Sequence, residues 1–265
     1  MATAKAVRIA RIGLTVGDLA AAAGFYCDAL GFEPAGAAAR TGARAQLLRL
    51  GEQEIELIAF DAPGRPYPEP RAANDPWFQH FAVVVSDMDA AYGRLARHGQ
   101  RPISRGGPQL LPPSTGSVTA YKFRDPDGHP LELSHIPNSD WAARPGRPFL
   151  GVDHSAIAVA DLAASIAFYE GLGLSVAGRG VNQGPEQDRL DGLDGVVLDI
   201  VSLTTPEPSP HIELLHYRAP PSTAAPRRFA PNDIGATRLV MQVGGVAPPG
   251  PIHDPDGHLL ELVAD

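Results

Sequence analysis

The 265-residue chain holds a single cysteine, Cys27, so no intrachain disulfide is available and an oxidising compartment is not implied. Positive charge is also short. Twenty-two Lys and Arg against 30 Asp and Glu give a formal net charge of −8 with no basic run, which argues against a nucleic-acid partner. No window approaches the ~18 uninterrupted apolar residues of a membrane span. Residues 1–10 carry basic side chains but neither an apolar stretch nor a cleavage signature, and cytoplasm is the expected location. Aromatic residues, at 6%, leave little material for a ligand site walled by rings.

What is present is ordinary for a globular chain, with 44% hydrophobic and 20% charged residues and enough length for one large or two moderate cores. The distinguishing feature is a repeat. Asp125-Pro126-Asp127-Gly128-His129-Pro130-Leu131-Glu132-Leu133 returns as Asp254-Pro255-Asp256-Gly257-His258-Leu259-Leu260-Glu261-Leu262. Pro sets φ and Gly accepts the positive φ that closes a turn. The period-two strand that follows puts each glutamate on the face opposite its leucine neighbours.

A second pattern recurs upstream. An opening residue, an apolar strand and a capping Asp seven positions on appear as Arg11 to Asp18, His80 to Asp87 and His154 to Asp161. Each leads into an Ala-rich helix, and Gly31, Gly99 and Gly173 are its stop signals. Asn74-Asp75 precedes His80 by the same interval as Asn232-Asp233 precedes Arg238, so Arg238 opens a fourth unit, which continues into a Pro/Gly stretch instead of a helix. Each unit closes on a strand with a carboxylate: Glu56, Glu132, Glu213 and Glu261. The expected organisation is four βαβββ units, the last truncated, in two domains, 1–136 and 150–265, joined by a linker at 137–149. The long Pro-rich segments 61–76 and 218–231 are candidate lids.

These residues resemble the vicinal-oxygen-chelate superfamily, which includes glyoxalase I, bleomycin-resistance proteins and extradiol dioxygenases, over roughly residues 7 to 264. The resemblance implies an α+β fold in which βαβββ units curl pairwise into two curved mixed-sheet cups with helices outside. It also implies that ligands sit on the first and last strand of each unit. Those positions hold Arg11 and Glu56, His80 and Glu132, His154 and Glu213, Arg238 and Glu261.

Imidazole and carboxylate bind divalent ions, whereas a guanidinium has no free lone pair. If sequential units share a cup, each cup carries an arginine where a ligand belongs. If the inner units pair and the outer units pair, one cup holds His80, Glu132, His154 and Glu213, a full metal set. The other then holds Arg11, Glu56, Arg238 and Glu261, which can form ion pairs without metal. The exchanged arrangement is the expected one. His211, two residues before Glu213, shares its face and is a substitute ligand. His216 faces the other way, and His129 and His258 belong to hairpins. Tyr121 and Lys122 are candidate substrate-binding residues, and the Phe-Tyr pairs 25–26 and 168–169 are helix core positions.

The functional expectation is a glyoxalase-like lyase or isomerase acting on a small substrate with vicinal oxygens. Its cofactor would be a divalent metal (Zn, Ni, Co, Mn or Fe), and Glu132 or Glu213 would move the proton. An extradiol-type dioxygenase and a metal-free small-molecule or drug-binding protein are the alternatives. The expected assembly is a monomer or homodimer.

Overall fold

The computed structural model describes residues 5–137, 139–141, 146–207, 210–245 and 250–264. Residues 138 and 142–145 of the expected linker, and residues 246–249 of the Pro/Gly stretch, lie outside the described residues.

The first unit runs β1 (Lys5–Thr15), α1 (Leu19–Leu30), β2 (Glu33–Arg40), β3 (Ala43–Leu50) and β4 (Gln53–Phe60). The second is β5 (Gln79–Val85), α2 (Met88–Leu95), β6 (Arg101–Pro102), β7 (Gln109–Leu110), β8 (Thr119–Arg124) and β9 (Pro130–His135). The third is β10 (Phe149–Ala158), α3 (Leu162–Gly171), β11 (Ser175–Gln183), a short inserted α4 (Pro185–Asp191), β12 (Val197–Thr204) and β13 (His211–Ala219). The fourth keeps β14 (Arg238–Gly244), β15 (Ile252–His253) and β16 (Leu259–Ala264), with no helix among the described residues.

Local chemistry explains the helix starts. Asp18, Asp87 and Asp161 each accept from backbone amides of the first turn, satisfying donors that the helix itself cannot. Gly31 closes α1 at φ 74°, where a side chain would be strained.

Two sheets result. One has the order β15-β16-β14-β1-β4-β3-β2, the other β11-β12-β13-β10-β5-β9-β8-β6, with β7 beside β8. Antiparallel pairing of β1 with β14 joins units one and four, and that of β5 with β10 joins units two and three. This is the exchanged pairing. Within each unit the last strand lies parallel to the first, so Glu56, Glu132, Glu213 and Glu261 align with Gly13, Ala82, Ala156 and Val240 respectively. The helices pack on the faces away from the cups, around a core that includes Ile12, Tyr26, Leu57, Phe81, Leu131 and Leu214. The architecture is mixed α+β.

The segments read as lids pack elsewhere. Gly64 N donates to Asn232 O (2.9 Å), Arg65 pairs with Asp233 (2.7 Å) and Asn74 Nδ2 donates to Pro220 O (2.9 Å). Tyr67, Trp77 and Phe229 form a small apolar cluster of their own. The first segment thus bonds to Pro220 of the second and to Asn232 and Asp233 just beyond it, and neither segment lines the main cavity.

Candidate metal centre

His80 lies on β5, Glu132 on β9, His154 on β10 and Glu213 on β13, so four adjacent strands aim one side chain each into the inner cup. Ligand atoms of His80, Glu132 and His154 lie within 4.8 Å of one another, and all three residues are buried. Glu213 stands just outside that group, with Oε2 3.6 Å from His154 Nε2. His80 is 2% exposed and neither ring nitrogen has a hydrogen-bond partner among the described residues. Its Nε2 approaches Glu132 Oε2 at 3.3 Å without hydrogen-bond alignment. Two imidazoles and two carboxylates, one nitrogen donor orphaned in the interior, fit a borderline divalent ion.

Electrostatics keep His80, Glu132 and Glu213 in ligand form, whereas the ring of His154 carries a proton that an incoming ion must displace. Burial pulls the His80 pKa below its ordinary value, although Glu132 opposes this, so the ring is neutral. Burial alone would raise Glu132, but His80, Lys122 and His154 hold it well below the carboxylate range. Glu213 is likewise lowered, burial being outweighed by His154 and His211. For His154, burial is overcome by Glu213 and by the Asp153 hydrogen bond, and the pKa rises to about 9.

A β-bulge shapes this corner. Between Val152 and Ser155, β10 carries an extra residue relative to β5, as β1 does relative to β14 between Ile9 and Arg11. It turns Asp153 toward the same side as its neighbour. Asp153 Oδ2 lies 3.0 Å from His154 Nδ1, and Oδ1 accepts from Trp141 Nε1 at 2.7 Å. A carboxylate on Nδ1 leaves Nε2 facing the cup. His211 stands 3.7 Å from Asp153 and 3.5 Å from Glu213, beside the cluster.

A cavity of about 380 Å³ opens over Glu132, Asp153, His154 and Glu213, and His80 lies behind its lining residues. Leu111, Val118, Leu198 and Leu215 line part of it, Asn182, Ser202 and exposed Arg179 another part, and no Phe, Tyr or Trp is among its lining residues. Lys122 lines it too, with Nζ 2.6 Å from Asp191 Oδ1 and 3.9 Å from Glu132 Oε2. Tyr121, the other candidate substrate residue, does not enter the cup. Strand alternation turns it into the helix-side core, where its hydroxyl donates to Gln100 Oε1 at 3.0 Å.

The outer cup is filled by ion pairs. Arg11 Nε donates to Glu56 (2.8 Å), Arg40 bridges Glu56 (2.7 Å) and Glu261 (2.6 Å), and Arg238 lies 3.5 Å from Glu261. Arg238 is 1% exposed and also donates to Thr15 Oγ1 and to the carbonyls of Pro231 and Ala236. Gly13 makes room for it, since a Cβ there would meet Arg238 Cγ at 2.7 Å. Burial lowers the Arg238 pKa to about 10, with Glu261 opposing, so it stays a cation.

Sequence reasoning missed Asp153, Asp191 and Arg40. Asp153 adjoins His154, and simple alternation puts neighbours on opposite faces until a bulge intervenes. Asp191 comes from the inserted helix, and Arg40 from a strand with no motif. His129 and His258 hold hairpins as expected, with Nε2 2.9 Å from Thr15 O and from Ala158 O.

Comparisons with known proteins agree with this architecture. No curated protein sequence matches the chain. Among solved structures, glyoxalase I from Zea mays is similar with a TM-score of 0.64 at 17% identity, covering 99% of this chain and 92% of that one. A putative dioxygenase from Bacillus subtilis subsp. subtilis str. 168 gives 0.61 at 14% identity, over 98% and 86%. At such identities the likeness speaks for the fold alone. A family model matches residues 8–133 and 151–237, and with that span covered the chain belongs to the Glyoxalase/Bleomycin resistance protein/Dioxygenase superfamily.

Proposed function

We propose that the inner cup binds one divalent metal ion through His80, Glu132, His154 and Glu213, and that the protein is a glyoxalase-type lyase or isomerase acting on a small molecule with vicinal oxygens. The observation that carries this reading is the convergence of two imidazoles and a carboxylate within 4.8 Å, with both nitrogens of buried His80 unpaired. Leaving a buried polar atom unpaired costs about 1–3 kcal/mol, and a cation at this point removes that cost. When bound, the ion supplies a Lewis acid that polarises substrate oxygens and eases removal of a proton from the adjacent carbon.

The two carboxylates divide the remaining work. Glu132 is pinned, accepting from Ser134 Oγ at 2.5 Å beside His80 and Lys122. Glu213 lines the cavity with its side chain 21% exposed, and its carboxylate lies 3.6 Å from His154 and 3.5 Å from His211. Glu213 is therefore the proton carrier, and His211 steadies its second oxygen.

One observation favours a second reading, ring-cleaving dioxygenation. The tight group His80, Glu132 and His154 is by itself a two-His, one-carboxylate set. Reconstitution of stripped protein separates the two. Nickel, cobalt or zinc restoring solvent-deuterium exchange at a carbon next to a carbonyl supports the lyase. Iron-dependent oxygen uptake on a catechol supports the dioxygenase. Binding of small molecules with no metal dependence overturns both.

A further inference from the structure

We propose that Lys122 is an anion-recognition point beside the metal centre, so that the substrate of the inner cup is a small acid whose carboxylate pairs with this ammonium. The inference rests on the metal-site reading above and adds the substrate's charge class to it.

Lys122 is 3% exposed, yet it lines the cavity. Its counter-ion sits behind it: the Asp191 side chain is fully buried, 2.6 Å from Nζ. Asp191 is itself held by Gln187 Nε2 at 2.7 Å, and Gln187 Oε1 by Asn182 Nδ2 at 3.1 Å. This row of side chains from β11 and α4 fixes one ammonium hydrogen and sets the position of Nζ. An ammonium has three hydrogens, and Glu132, at 3.9 Å, is too far to take a second as a hydrogen bond.

A buried ion pair adds little to stability compared with an apolar pair of similar volume, so packing alone does not account for a lysine here. The cavity is lined by Leu111, Leu198 and Leu215 and also by Asn182, Ser202 and Arg179, and of its two cations Arg179 is exposed while Lys122 is buried 3.9 Å from Glu132 of the metal group. A small acid with an oxygen next to its carboxylate meets all three features: chelating oxygens, one negative charge and an apolar remainder.

The test uses cobalt and oxalate, an acid with vicinal oxygens, followed by calorimetry, with neutral oxamide as control. Cobalt-loaded protein is expected to bind oxalate and to prefer it to oxamide. Lys122→Met is expected to weaken oxalate about 10- to 100-fold, the worth of a charge-assisted hydrogen bond, with cobalt affinity held within about threefold by the remaining ligands. Lys122→Gln keeps polar reach toward Asp191 without the charge and should lose oxalate equally, which covers the case where the methionine variant misfolds. Lys122→Arg should retain most of the binding. Equal oxalate affinity in wild type and Lys122→Gln, or oxamide bound as tightly as oxalate, overturns the inference while leaving the metal reading intact. Absence of cobalt uptake together with Lys122-dependent oxalate binding overturns the metal reading and keeps the anion site. No oxalate binding with or without cobalt overturns the anion site.

Discussion

The Tyr26 hydroxyl donates a 2.9 Å hydrogen bond to Asp125 Oδ2, and Tyr169 repeats the contact on Asp254 Oδ2 at 3.1 Å. Each bond ties a helix of one unit to the turn of the next unit, although the two units belong to different sheets. The other oxygen of each aspartate accepts from the turn amides of Gly128 and His129, or of Gly257 and His258. Exchanged sheets are thus fastened by contacts between sequential units. Tyr26→Phe leaves a buried carboxylate oxygen without its donor and should cost about 1–2 kcal/mol in urea unfolding, with metal affinity unchanged. Tyr169→Phe should behave alike.

Glu261→Ala in the outer cup should leave metal content untouched. Arg40 and Arg238 lose a shared partner, and with side chains 21% and 1% exposed the expected loss is about 1–3 kcal/mol in chemical denaturation. Metal loss in this variant would mean that the roles of the two cups are reversed.

Asp153→Ala should weaken cobalt binding about 10- to 100-fold by freeing the His154 ring, as measured by competition with a chromophoric chelator. Trp141→Phe, which takes away the 2.7 Å bond to the other carboxylate oxygen and leaves Asp153 beside His154, should have a smaller effect.

The repeat spacing made the units, their Asp caps and the missing fourth helix legible, because capping and turn chemistry are local. The pairing of units is not local. It was readable because histidine and arginine at equivalent positions sort into one competent and one blocked cup, and the register of Ala156 with His80 and of Gly13 with Arg238 realises that sorting. Three features stayed out of reach for physical reasons. The bulge at Asp153 breaks alternation, the Lys122–Asp191 pair depends on an inserted helix, and Arg40 on edge strand β2 meets Glu261 on β16, near the opposite edge of its sheet.

Low pH should weaken the pairing of Arg65, in the first Pro-rich segment, with Asp233, just beyond the second. Burial would raise Asp233, but Arg65 and the amides of Arg65 and Ala230 lower it to about 2, from an ordinary 3.8. A lowered folded pKa means stability present above pH ~4 and lost as pH falls toward ~2. Because Arg65 is 60% exposed, the effect should be no more than about 1 kcal/mol. Asp233→Asn should flatten that part of the stability profile by this amount, read from urea midpoints between pH 5 and pH 2.5.

The most direct test of the central claim is the metal stoichiometry per chain by elemental mass spectrometry, after stripping and reloading with cobalt, in wild type, His80→Ala and Glu261→Ala. The account predicts one ion per chain in wild type and in Glu261→Ala, and strongly reduced occupancy in His80→Ala with the fold retained. Two ions per chain, full occupancy in His80→Ala, or no uptake by the wild type would contradict it.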